Sequence, residues 1–187
     1  MSRFDCLKKI RRVLNEALYI FTNYFVANLP LWMIRRWFYV LLGMKIGKKS
    51  RILMKTIVVR PRGIVVGDNT VINEYCYLDG RGGLSIGSNT TLAVYTKVLS
   101  AYHNTESDEF EMRRKPVFIG DNAVLFSGTM VLPGAEIQDG VVFSASSVVK
   151  RGLYKKNTIW AGNPATYVKN REITNKYCPK EWTPIFR

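Results

Sequence analysis

One histidine, His103, stands in this chain of 187 residues. Imidazole exchanges a proton near neutral pH, so a residue of this type suits general acid–base chemistry at a poorly acidic group such as a hydroxyl. Such a base needs a partner on its second ring nitrogen to fix the tautomer. Glu106, Asp108 or a backbone carbonyl could fill that place. Cys6, Cys76 and Cys178 are odd in number and far apart. They show neither a metal-type CxxC spacing nor a disulfide framework, and they fit a reducing cytosolic compartment. No metal-ligand set is visible, and proton transfer by imidazole requires no metal.

His103 also sits where a repeat breaks, and that repeat dictates the elements around it. The stretches IGKKS at 46, VGDNT at 66, IGSNT at 86 and IGDNA at 119 align, the first three 20 residues apart. Between them an aliphatic residue recurs every six positions: Val66, Ile72, Leu78, Leu84; then Ile86, Leu92, Val98; then Ile119, Leu125, Val131, Ile137, Phe143, Val149. Four positions after most of these stands a small residue, with Tyr102 the exception. A period of six matches neither a helix nor a long strand. It predicts short strands that turn corners on a triangular coil, with Gly and Asn supplying the corner dihedrals. Three hexapeptides close a coil of 18 residues, so a spacing of 20 adds a two-residue bulge. About five coils at roughly 4.8 Å would give a column about 25 Å long. An antiparallel sandwich would show turn signals without a fixed six-residue phase. Residues 103–118 are polar and out of phase, and so predict an excursion loop with His103 at its root.

This pattern resembles the hexapeptide-repeat acyltransferases, and more narrowly the galactoside, maltose and exopolysaccharide O-acetyltransferases. The resemblance covers residues 43–170 and rests on the repeat, INEY at 72, the histidine 17 residues after Ile86, VLPGAEI at 131 and WAGNPA at 160. It implies a mainly β fold, a left-handed parallel β-helix, assembled as a homotrimer with active sites between subunits. It implies acetyl-CoA as co-substrate, no tightly bound cofactor, and a saccharide acceptor. His103 matches the family's general base. Asn73 matches an asparagine beside the acceptor hydroxyl. Ser127 matches the residue whose backbone N–H stabilises the oxyanion. Ala145 matches a small residue lining the pantetheine groove. Lys150, Arg151, Lys169 and Arg171 fall near the family's CoA contacts, and Asn163 and Pro164 belong to the turn that leads the tail along that groove. Two departures bear on the acceptor pocket: Val124 replaces a common aromatic and Phe126 replaces the usual glycine before Ser127.

The charge is lopsided. Residues 1–62 hold 14 Lys/Arg against Asp5 and Glu16, whereas the rest of the chain is almost balanced. Residues 1–44 read as a helical segment, 45–168 as the β-helix, and 169–187 as a tail. The first helix is expected over residues 3–27. Asn28 is expected to cap a second helix, with Pro30 in its first turn and Gly43 at its end. Residues 17–34 carry no charge, contain polar residues, and are flanked by Lys8, Lys9, Arg11, Arg12, Arg35 and Arg36. Aromatics crowd this region. The segment is expected to cap the open end of the column, with peripheral contact to an anionic membrane as a second role. A cytoplasmic enzyme, at the inner face of the cell membrane where acceptors are built, fits this reading. No nucleic-acid-binding signature is present. The competing activities on the same fold are N-acetylation of an amino-sugar nucleotide and acetylation of a xenobiotic.

Overall fold

The computed structural model describes residues 3–172. Most of the tail expected at 169–187, with Cys178, lies outside them. The chain winds into a three-faced parallel β-solenoid. Face one stacks Lys45–Ile46, Ile64–Val66, Leu84–Ile86, Val117–Ile119, Ala135–Ile137 and Gly152–Tyr154. Face two stacks Arg51–Ile52, Val71–Ile72, Thr91–Leu92, Val124–Leu125, Val142–Phe143 and Thr158–Ala161, closed by the antiparallel strand Thr166–Asn170. Face three stacks Ile57–Val59, Tyr77–Asp79, Lys97–Val98, Met130–Val131 and Val148–Val149. Five coils are complete and a sixth contributes two strands.

Every aliphatic residue of the six-residue series is buried in the prism. Burying each one contributes about 1.5–3 kcal/mol. Register confirms the arithmetic: Val66 faces Ile86 at 20 residues, and Leu125 faces Phe143 at 18. The two extra residues lie at the corner from face three to face one, around Arg60 and Gly80. At the corner from face one to face two the coils nearly touch. A Cβ on Gly67 would meet the backbone of Gly87 and Ser88 at 2.7 Å. Asp68 and Asp121 accept N–H bonds from the coil before, at Lys48 and Ser88, and Asn69 and Asn89 adopt positive φ. The aligned stretches at 46, 66, 86 and 119 are therefore one stacked corner repeated.

The excursion is an ordered hairpin, and its limits differ from 103–118. Ala101–His103 pairs antiparallel with Met112–Arg114. Val117–Ile119 already belongs to face one, because Val117 and Ile119 fill the prism as Leu84 and Ile86 do one coil earlier. Tyr102 broke the small-residue series because it lies on this arm.

The helices cover the open first coil. Exposed strand edges need partners, and each face receives one. The Asn23 amide donates to Val58 O and accepts Val58 N–H on face three. Arg35 donates to Ile52 O on face two, and Arg36 to Ile46 O on face one. Helical geometry bends to allow this. The α-helix Arg3–Ile20 gives way to a π turn, Phe21–Phe25, and a 3-10 turn, Val26–Asn28, instead of continuing to residue 27. Thr22 and Asn23 bond back to Leu18 and Tyr19 carbonyls there, a known route to helix distortion. The second helix is Trp32–Leu41 and starts later than expected. Pro30 holds Leu29 extended, so Asn28 bonds Tyr24 O rather than capping it. Gly43 ends it at φ 88°, with the Gly43 N–H on Val40 O and the Met44 N–H on Tyr39 O.

Arg35 is 0% exposed and also reaches Leu29 O. Arg35→Ala is expected to lower stability by about 3 kcal/mol or more, since each hydrogen bond to a charged group contributes about 1.5–3 kcal/mol. Urea unfolding checks this, and a loss below about 1 kcal/mol would show that the clamp is idle.

Candidate active site

His103 ends the first strand of the hairpin, opposite Met112. The tip that follows is tied by its own side chains. Asn104 donates to Glu111 Oε1 at 2.9 Å, and its backbone N–H donates to Glu111 O at 3.0 Å. Arg113 donates twice to the same carboxylate. Bonds from Ser107, Asn104 and Arg113 hold the Glu111 carboxyl down at about 2. This network sets Phe110, which adopts a positive φ of 46°. Its ring lies 4.7 Å from the imidazole, nearly parallel. Its carbonyl oxygen lies 2.7 Å from His103 Nδ1. A carbonyl only accepts, so Nδ1 carries the hydrogen and Nε2 presents the lone pair. Of the three partners open in the sequence, the backbone carbonyl is the one used. Phe110 carries no sequence signal, because its role depends on hairpin pairing seven residues away.

The other expected site residues lie elsewhere on the prism. Asn73, Ser127, Ala145, Asn163 and Pro164 line up along the edge between faces two and three. Asn73 donates through Nδ2 to Leu92 O at 2.9 Å, which also braces the corner. Ser127 and Ala145 are exposed and one coil apart, linked by the Ser146 N–H to Ser127 O bond of 2.9 Å. Among the described residues the Ser127 N–H donates to no backbone carbonyl. Phe126, the departure next to it, is exposed on the same edge, while Val124 is half-buried.

Lys150 and Arg151 are exposed on the other edge of face three, the edge that carries the hairpin. Lys169 lies on the return strand beside Ile159. Arg171 holds the carbonyls of Asn122 and Gly140 at 3.0 Å, at the third corner. It ties down the end of the solenoid rather than joining Lys150 and Arg151. One chain thus keeps His103 and the Asn73–Ser127–Ala145 column on different edges.

Cys76 does not offer a nucleophile. Burial pushes the Cys76 thiol up to about 12, and its sulfur faces Ala93 O inside the column. Among the described residues no His/Cys/Asp/Glu group could hold a metal ion.

A three-faced β-helix that carries a tautomer-fixed imidazole on one edge and exposed small residues on another has the architecture of an acyl-transfer enzyme. No family model matches the chain. Similar proteins are specific. WbbJ of Escherichia coli K12, described as a lipopolysaccharide biosynthesis O-acetyltransferase, is 33% identical over 64% of this chain and 67% of its own length. WcaF of the same organism, described as a colanic acid biosynthesis acetyltransferase, is 29% identical over 72% of this chain and 73% of its own length. The crystal structure of a maltose O-acetyltransferase from Clostridium difficile 630 superimposes with a TM-score of 0.76, at 27% identity and 87% coverage of both chains. The chain belongs to the hexapeptide-repeat acetyltransferases.

Proposed function

We propose that this protein transfers an acetyl group from acetyl-CoA to a sugar hydroxyl of a surface-polysaccharide or glycolipid precursor. The observation that carries this reading is the bond from His103 Nδ1 to the Phe110 carbonyl, which leaves Nε2 as a proton acceptor. Nε2 takes the hydroxyl proton as the oxygen attacks the thioester carbonyl carbon. The carbonyl oxygen becomes an oxyanion beside the Ser127 N–H. Collapse breaks the C–S bond, and the imidazolium returns its proton to the departing thiolate. Asn73 orients the acceptor. Ala145, Asn163, Pro164, Lys150 and Arg151 hold the CoA arm and its phosphates, with Lys169 nearby; Arg171 is committed to backbone carbonyls.

The separation of the candidate residues onto two edges favours a homotrimer. In a closed ring each subunit offers one edge to each neighbour, so the hairpin edge of one copy would meet the small-residue edge of the next. The transfer is tested with radiolabelled acetyl-CoA and a panel of sugars, oligosaccharides and nucleotide sugars. An O-acetyl product is released by hydroxylamine. A hydroxylamine-resistant product would make the acceptor an amine.

Residues 1–44 also contact an anionic membrane surface on this reading, which sets the enzyme to work in the cytoplasm at the inner face of the membrane. Leu14, Phe21, Phe25 and Trp37 are exposed on this segment, and Lys8, Lys9, Arg11 and Arg12 lie on its first helix. Apolar side chains next to cations are what an interfacial helix uses. No described helix is long and apolar enough to cross a membrane. The full chain is expected to sediment with phosphatidylglycerol vesicles at physiological salt, and Phe25→Ser with Trp37→Ser to lose most of that binding. A wild-type protein that ignores the vesicles would contradict this.

A further inference from the structure

Between the first helix and the hairpin edge of the prism runs a groove that the acetyl-transfer chemistry above does not use. It has two lobes, cavities of about 470 and 830 Å³, which share Arg11, Asn15 and Tyr19. The first lobe lies against the first coil, where Arg60 and Arg62 face Arg11. The second lobe reaches Lys8, Arg12 and Arg81 and ends at Met112. Met112 is the cross-strand partner of His103.

The charges in this groove do not cancel. Glu16 is taken by Arg12 at 3.0 Å. Asp79 is taken by Arg81 through two bonds of 2.9 and 3.0 Å. Lys8, Arg11, Arg60 and Arg62 face no acid among the described residues. Arg60 donates to the Arg81 carbonyl at 3.3 Å, which leaves its charge uncancelled, and four cations without a carboxylate around one concavity repel one another and focus a positive potential into it. Three of them are arginines, whose planar donors fit phosphate oxygens. Leu18, Leu42 and Val58 give the first lobe an apolar wall.

Position along the column assigns the groove a role. It lies at the first and second coils, while Lys150 and Arg151 lie at the fifth. The hairpin leaves the same edge between the third and fourth. Cations therefore stand on both sides of His103. The set beyond it is the one expected to hold CoA.

We propose that this groove binds the phosphate or diphosphate of an anionic saccharide acceptor and so presents its sugar to His103. The proposal rests on the reading of His103 as the base of acetyl transfer, and it names the chemistry of the acceptor. The groove is the anion clamp, and its apolar wall accommodates the group on the far side of the phosphate.

Calorimetry with inorganic pyrophosphate on the full chain, with CoA saturating, is the test. Wild type is expected to bind pyrophosphate while CoA stays bound. Arg11→Gln with Arg62→Gln is expected to weaken pyrophosphate at least tenfold, with CoA affinity and melting temperature unchanged. Pyrophosphate that displaces CoA, or that binds the double variant as well as wild type, would overturn the proposal. Farnesyl diphosphate and UDP then separate the two sources. Preference for the isoprenyl compound assigns the anion to a lipid-linked acceptor, and preference for UDP to a nucleotide sugar. Binding of neither would overturn the site. Pyrophosphate binding without any acetyl transfer would leave the anion site standing and remove the reaction.

Discussion

His103→Ala is expected to lower kcat for acetyl transfer by about 10²–10⁴-fold, the range that a positioned general base contributes, while acetyl-CoA binds as before. The imidazole is exposed on the hairpin, so its loss removes no core packing. What disappears is the Nε2 lone pair that the Phe110 carbonyl orients at 2.7 Å from the other nitrogen. A kcat loss without a change in acetyl-CoA affinity marks an interaction made in the transition state. Equal turnover by mutant and wild type would show that another group takes the proton.

Ala145→Trp is expected to weaken acetyl-CoA by about 5–150-fold, since forcing a bulky group into a filled space costs about 1–3 kcal/mol. Ala145 is exposed one coil from Ser127, so an indole there enters the groove rather than the prism. The melting temperature should hold while the acetyl-CoA dissociation constant rises. Unchanged binding would mean that the pantetheine arm runs elsewhere.

The prism was legible in the sequence because its physics is local and periodic. Val66 through Val149 had to point inward every six residues, and all of them do. The corner signature was legible for the same reason, since close coil contact admits only glycine at Gly67. The helical cap was harder to read. Its boundaries depend on Asn23 leaving its helix to pair with Val58, a contact 35 residues away. Arg35 looked like a flank of an apolar run and is instead the buried clamp on Ile52. The hairpin was misjudged at both ends because polarity hides strand pairing: Met112–Arg114 is wholly exposed, yet fully paired. At the site, residue types carried His103, but its partner Phe110 emerges only once the arm folds. The cationic groove had a visible source, the surplus of Lys and Arg before residue 63. Its location required the helix to be laid along the edge.

Acetyl transfer at a site shared between two copies is tested most directly by co-expressing His103→Ala and Ala145→Trp chains. Each variant alone is expected to be nearly inactive. If each site takes its hairpin from one copy and its small-residue edge from the next, random mixing leaves about a quarter of the sites with both edges intact. Mixed assemblies should then recover about a quarter of wild-type thiol release from acetyl-CoA with the acceptor present. Mixed assemblies as inactive as either variant alone would place the whole site on one chain and contradict the account.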